Sequence, residues 1–320
     1  MNFLKHAAIV LSVVVWCATA HAQTGVGDVV YVPTPQIVVD EMLLMGKVNN
    51  ADYLIDLGSG DGRIVITAAK KLGARGFGVD LDDNLVRTAQ RNAASEGVKD
   101  RAEFYTRNLF DTDMSKATVI SMYLFNSVNL RLRPSLFKLK PGTRLVSHDF
   151  DMAKWTPDDK LTIDVPGKSY GSPHSEIFLW IVPADASGRW RWQLPVAAAG
   201  GANGAKWDYD AAFEQTFQMI SGEVQTSGRG AQLRDARVRG EIVSFTVLAE
   251  RDGRTVRQEF SGRIEGNGGG DVIAGHVVIE GVKTPWRATR SSRGRMIIDA
   301  SLDSPDRTTV AATFLTKEQQ

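Results

Sequence analysis

Residues 53–63, Tyr-Leu-Ile-Asp-Leu-Gly-Ser-Gly-Asp-Gly-Arg, leave this chain few ways to fold. A short apolar run ends in Asp56 and Leu57, breaks into Gly58-Ser59-Gly60-Asp61-Gly62, and resumes as an amphipathic stretch. That order reads as strand, tight turn, helix. Three alternating glycines let the backbone turn sharply and let a ligand lie against it with no Cβ in the way. In an open α/β sheet, a ligand held by such a turn sits at the C-terminal edge of the strand.

The rest of the motif narrows the ligand. A dinucleotide fingerprint needs a third glycine where Arg63 stands, so close approach of a pyrophosphate is poorly served. No G-x-x-x-x-G-K-[ST] run is present, which excludes a nucleoside triphosphate loop. An acid, Asp56, two residues before the first glycine suits a ligand that carries an ammonium and a sulfonium. S-adenosylmethionine is such a ligand. Asp80 ends the next apolar run about twenty residues on, where a carboxylate accepts both ribose hydroxyls. The third strand exits at Arg107-Asn108-Leu109-Phe110, where a side-chain amide is placed to meet an adenine amino group. A noncatalytic doubly wound fold uses the same turn geometry and stays open as the alternative.

Around this motif, residues 28–183 alternate short apolar runs with amphipathic segments, the pattern of strand-helix units on a parallel sheet. The spacing predicts helices over 35–45, 62–72, 83–96 and 126–139, and seven strands over 53–57, 76–80, 102–106, 117–124, 144–148, 161–165 and 176–182. After residue 184 the pattern changes. Glycine becomes frequent, helical periodicity disappears, and Trp190, Trp192 and Leu194 alternate with Arg191 and Gln193, as do Tyr209, Ala211, Phe213, Gln215 and Phe217 with their neighbours. Further short runs at 242–248, 272–279, 296–302 and 310–315 point to a small all-β sandwich or barrel. Its tryptophans read as core rather than as a ligand platform.

The chain's 320 residues are enough for two such domains. The predicted organisation is a signal segment over 1–22, an α/β domain over 23–184 and a β-rich domain over 185–320. Lys5 and His6 precede an apolar run over 7–18, and Ala20-His21-Ala22 offers the small-x-small pattern of a signal-peptidase site. A run of about a dozen residues falls short of the ~20 that span a bilayer, so the expectation is cleavage, export to the periplasm and no membrane span in the mature chain. Cys17, the single cysteine, would leave with the signal, and no cysteine nucleophile or disulfide remains. A formal net charge of +1 supplies no field to hold a polyanion, which disfavours nucleic acid as a partner.

The stretches YVPTPQIVVDEML, DLGSGDGRIVITAAKK and GFGVDLDDNLVRTAQ, with the acid at Asp80 and the exit at Asn108, resemble class I methyltransferases. More narrowly, they are similar to bacterial relatives of the mitochondrial protein-lysine methyltransferases that modify the adenine nucleotide translocase and the c-ring protein of the ATP synthase. The resemblance implies a Rossmann-like domain with a mostly parallel seven-stranded sheet and helices on both faces. It also implies that Asp56, Gly58, Ser59, Gly60, Gly62, Asp80, Leu81, Asn108 and Leu109 contact S-adenosylmethionine, with Tyr31 and Thr34 closing over it, and that the substrate is a protein lysine. The family more often has Asp where Asn108 stands.

On the acceptor side, the fourth strand exits at Tyr123-Leu124-Phe125-Asn126, where class I enzymes place acceptor-binding residues; this differs from the N-P-P-Y motif of DNA and glutamine methyltransferases. Tyr123, Asn126 and His148 are the catalytic candidates, against a reading of Tyr123 as core and Asn126 as a helix cap. Asp149 and Asp151 are placed to bind substrate or act as a base, and Trp155 to shape the entrance. Arg131, Arg133, Lys138 and Lys140 read as a solvated helix face, and no His/Asp/Glu cluster has metal-ligand spacing. Two other functions remain open: a noncatalytic binder of the cofactor, and a small-molecule methyltransferase.

Overall fold

A computed structural model describes residues 31–168, 171–195, 206–251, 253–266 and 270–298. The predicted signal segment, the strand at 310–315 and part of that at 296–302 lie outside the described residues. The first half is a seven-stranded sheet in the order β3-β2-β1-β4-β5-β7-β6. Its strands are β1 (Tyr53–Leu57), β2 (Arg75–Asp80), β3 (Ala102–Thr106), β4 (Val119–Met122), β5 (Arg144–His148), β6 (Asp159–Asp164) and β7 (His174–Ile181). The first five run parallel, and β7 is antiparallel to both β5 and β6. Strand order reverses between β1 and β4, so the crevice for a ligand lies at their C-terminal ends.

Period-two alternation decides which face each side chain covers. Leu54 packs with helices α1 (Gln36–Met45), α2 (Arg63–Leu72) and α3 (Asp83–Ser95), while Ile55 and Leu57 pack on the opposite face with α4 (Asn126–Leu136). On that second face the core is completed from outside the sheet. Trp155, expected to shape an entrance, is fully buried there against Phe137 and Trp180. Arg133, expected on a solvated helix face, is also fully buried, its Nη1 donating to the Met152 carbonyl at 3.2 Å. Pro134 inside α4 and the residues around it place Arg133 on the core side of the helix, where Val128, Leu132 and Leu136 also lie.

The second half is a closed eight-stranded antiparallel barrel, which decides between the sandwich and the barrel expected from sequence. Its strands are β8 (Gly188–Pro195), β9 (Lys206–Thr216), β10 (Met219–Thr226), β11 (Arg229–Arg239), β12 (242–251), β13 (Arg254–Glu265), β14 (Val272–Ile279) and β15 (Val282–Arg293). Each pairs with its sequence neighbour, and β15 closes on β8. Trp190, Trp192 and Trp286 are buried inside, as the alternating pattern predicts. Phe217 breaks the alternation of its strand. At the β9–β10 turn its φ is 53°, and its ring leaves the barrel to stack at 6.2 Å on Trp155 and under the Arg133 guanidinium at 5.1 Å. Beyond residue 295 the described chain forms an isolated bridge, Thr216 with Ile297, rather than a strand. Among the described residues no helix is long and apolar enough to cross a membrane.

Candidate active site

At the C-terminal ends of β1 and β4 a cavity of about 610 Å3 opens, well sized for a nucleoside with an amino-acid arm. Its floor is the glycine turn. Gly60 has φ 53°, and a Cβ there would come within 2.3 Å of the Tyr31 ring, so the N-terminal segment lies directly on the turn. Gly62 has φ 83° and starts α2; a Cβ on it would strike Phe104 and Ala89 at 2.6 and 2.8 Å. Gly62 therefore shapes the turn without lining the cavity.

Two carboxylates end adjacent strands above this floor. Asp80 Oδ2 accepts from the Gly60 N–H at 2.8 Å and Oδ1 from the Asp82 N–H at 3.0 Å, which ties the end of β2 to the glycine turn. Each oxygen retains a further lone pair. Asp56 is buried and accepts from Ser121 Oγ at 2.7 Å. Burial raises its pKa to about 7; the Ser121 hydrogen bond works against the shift, and the charges of Asp80 and Asp61 add to it. A buried acid among like charges is complementary to a cationic ligand group.

Arg63, where a dinucleotide site has glycine, acts as a strap. Its guanidinium forks onto Asp61, Nε to Oδ1 at 2.9 Å and Nη2 to Oδ2 at 2.6 Å, and Nη1 donates to the Thr34 carbonyl at 2.8 Å. Against the burial that raises it, the Arg63 contacts hold the Asp61 carboxyl below its usual range. Burial, with the Asp61 charge, raises Tyr31 to about 12, so its hydroxyl stays protonated. Tyr31 and Thr34 thus reach the cavity from the N-terminal segment. Arg63 and Asp61 were not among the residues read as functional from sequence, since their role depends on a segment some thirty positions away.

Leu81, Asn108, Leu109 and Phe110 form the opposite wall. Asn108 Oδ1 accepts from the Phe110 N–H at 3.0 Å, capping a 3-10 turn over Leu109–Asp111, and Arg131 lies over the Phe110 ring at 4.1 Å. The cavity therefore gathers Tyr31, Thr34, Asp56, Gly58, Ser59, Gly60, Asp80, Leu81, Asn108, Leu109 and Tyr123. It does not gather Gly62, Asn126 or His148. Asn126 is exposed, its Nδ2 donating to Asp151 Oδ1 at 2.7 Å. His148 is fully buried behind Tyr123, ring centroids 3.9 Å apart.

Behind that wall runs a polar chain. His148 Nδ1 lies 3.3 Å from Thr34 Oγ1, and Nε2 lies 2.9 Å from Ser175 Oγ and 3.3 Å from Asp149 Oδ2. Lys168 Nζ donates to Asp149 Oδ2 at 2.7 Å and to Ser175 Oγ at 2.9 Å. Asp149 adopts φ 59°, a left-handed conformation unusual for a non-glycine, and exchanges backbone and side-chain bonds with Glu176 on β7. Burial raises Tyr123 to about 12, reinforced by the charge and hydrogen bond of Asp149. Burial likewise lowers His148 to about 4, with the Asp149 charge opposing and that of Lys168 assisting. Lys168 carries no sequence signal, because a 20-residue separation from β5 hides its pairing.

The known proteins that this chain resembles agree with that geometry. Residues 56–159 match the ANTKMT methyltransferase domain family. A protein-lysine N-methyltransferase of Saccharolobus islandicus (strain REY15A) is 42% identical over 159 residues, 49% of this chain and 96% of that protein. The chain belongs to this methyltransferase family. The human lysine N-methyltransferase of the ATP synthase c-ring protein is 33% identical over 129 residues, 40% of this chain; the match spans about half of that protein, 54%. The crystal structure of an RNA methyltransferase from Salinibacter ruber with S-adenosyl-L-homocysteine shares 50% identity across 48% of this chain and 94% of that one, at a TM-score of 0.43. S-adenosylmethionine is the methyl donor of the methyltransferase. The residues present fit it: an uncompensated buried acid, a bare glycine cradle and a second carboxylate at the next strand end converge on one cavity.

Proposed function

We propose that the methyltransferase N-methylates a lysine of a protein substrate, with Tyr123 and Asp149 receiving the acceptor amine. In this reading Asp56 faces the donor's ammonium, Asp80 the ribose hydroxyls, and Leu81, Asn108 and Leu109 the adenine, while Tyr31 and Thr34 close the site. Bound S-adenosylmethionine supplies an electrophilic methyl and leaves as a neutral thioether. The chain's task is to present an uncharged amine in line with it. A lysine of pKa near 10.4 costs about 4 to 5 kcal/mol to deprotonate at pH 7, so groups that hold the nitrogen and take up the emerging positive charge matter most.

The single observation that carries this is the Tyr123–Asp149 pair at adjoining strand ends, its tyrosine on the cavity wall. With its pKa near 12, Tyr123 does not act as a base; its oxygen accepts an amine N–H and aims the lone pair. The Asp149 carboxylate stabilises the ammonium on arrival and again after transfer. Neutral, buried His148 holds the Tyr123 ring in place and takes no proton from substrate.

The test is to incubate the protein and its Asp80→Ala variant with radiolabelled S-adenosylmethionine and a cell-envelope extract. Label in a protein band, recovered as methyl-lysine and lost in Asp80→Ala, supports the reading. Label in small molecules or in RNA, or donor binding without transfer, overturns it. We further propose that residues 1–22 direct export to the periplasm, on the strength of Lys5, the apolar run and Ala20-His21-Ala22. A fusion of this segment to alkaline phosphatase tests it: an enzyme active only outside the cytoplasm should be active, and an inactive fusion rejects export.

A further inference from the structure

The barrel holds a cavity of its own. β8 and β15 pair from Gly188–Arg293 to Trp192–Ala288, and there their ladder ends. β8 nevertheless continues along β9 to Pro195–Lys206, and β15 along β14 to Val282–Ile279. The two strands part, with Pro285, which has no N–H to donate, on the separated stretch. A cleft of about 1120 Å3 opens at this seam onto the interior side chains Trp192, Leu194, Tyr209 and Trp286. Toward the other end of β15 the barrel is stoppered. Arg290, its side chain 1% exposed, donates to the Asp185, Ser187 and Gly270 carbonyls and lies over the Trp190 ring at 4.4 Å.

The interior behind the cleft is aromatic and short of acceptors. Trp192 and Tyr209 stack at 4.9 Å, and Trp286 meets Trp192 edge-on at 5.4 Å. Trp190 Nε1 donates to the Ala186 carbonyl at 2.8 Å and Trp286 Nε1 to the Ser261 carbonyl at 3.2 Å. Trp192 Nε1 has no acceptor, and neither has Nε2 of buried Gln258, whose Oε1 is engaged by the Tyr209 hydroxyl at 2.9 Å. Buried donors are ordinarily satisfied, and each one left unpaired costs on the order of 1–3 kcal/mol. Two of them around one stacked pair of rings form a site that lacks an oxygen. At the rim, Arg191 is paired with Asp210 and Arg287 with Glu265, so the entrance does not select for an ion.

We propose that this cleft is a second binding site, for a small uncharged ring-bearing molecule that presents a carbonyl oxygen to Trp192 Nε1 with its ring against the aromatic set. A closed eight-stranded barrel has the width to hold one small ligand. This assignment does not depend on the acceptor of the methyltransferase.

The full-length protein is titrated with prodan, an uncharged fluorescent naphthyl ketone, with saturating S-adenosylhomocysteine present to fill the donor site. The expected result is saturable one-to-one binding with blue-shifted emission. Trp192→Phe keeps the ring and removes the donor, and should weaken binding about tenfold, the equivalent of one hydrogen bond. Thr289→Trp, at an exposed rim position that cannot perturb the core, should abolish it by filling the cleft. Absence of saturable binding, affinity unchanged in Thr289→Trp, or a folded Trp192→Phe protein that binds as wild type overturns the proposal.

Discussion

Asp56 sets a conflict between folding and binding within one side chain. Raised to about 7 by burial, its carboxyl stays protonated in the folded protein where the unfolded chain has already ionised. Stability therefore falls as pH rises from about 4 to 7 and is level above that, by at most about 4 kcal/mol. A cationic ligand group favours the ionised form. Donor affinity should accordingly strengthen as pH is raised from about 6 to 8 and then flatten, which calorimetric titration across pH would show. Asp56→Asn should remove both pH dependences, raise the melting temperature at neutral pH and weaken donor binding; a variant with the wild-type pH profile of affinity would exclude Asp56 as the controlling group. Tyr123 poses a separate question of orientation. Tyr123→Phe keeps the ring stacked on His148 and loses the oxygen, so kcat should fall on the order of a hundredfold while donor affinity stays within about twofold.

At the scale of elements, the donor site depends on a segment that no strand or helix of the sheet contains. Residues 31–34 are pinned to the glycine turn by the Tyr31 ring on Gly60 and by Arg63 Nη1 on the Thr34 carbonyl. Arg63→Ala releases that strap without opening the core, since its side chain is 31% exposed. Donor affinity should drop about tenfold with little change in melting temperature, measured by calorimetry on the folded protein. A second tie, Thr34 to His148 to Ser175 and Lys168, links the same segment to β5 and β7, so donor side and acceptor side share one polar scaffold.

Across the whole molecule, the barrel is part of the sheet's core as well as a neighbour to it. Gln218 Nε2 donates to the Thr156 carbonyl at 2.6 Å, the Ala184 N–H to the Gly240 carbonyl at 2.7 Å, and Phe217 fills the space among Phe137, Trp155 and Arg133. Phe217→Ala should cost about 3–5 kcal/mol and lower the melting transition of both halves together, read by tryptophan fluorescence during thermal unfolding. Loss confined to the barrel would show instead that the halves are energetically separate. Sequence periodicity was enough to read the sheet strands, the four helices and the donor motif, because each is encoded by residues within about twenty positions of one another. Strands β10, β11, β13 and β15 went unread, since outward arginines and threonines such as those of Arg229–Arg239 and Val282–Arg293 mask a thin apolar stripe. What the sequence by itself determined was the sheet, the cofactor class and most of the cavity wall, down to Asp56 and Asp80. Only the tertiary structure decided that Arg63 is a strap, that Arg133 and Trp155 are core, that His148 stands behind Tyr123, and that Lys168 meets Asp149. Those roles arise from contacts between residues far apart in the chain, and burial, which no local pattern records, sets their charge and their reach.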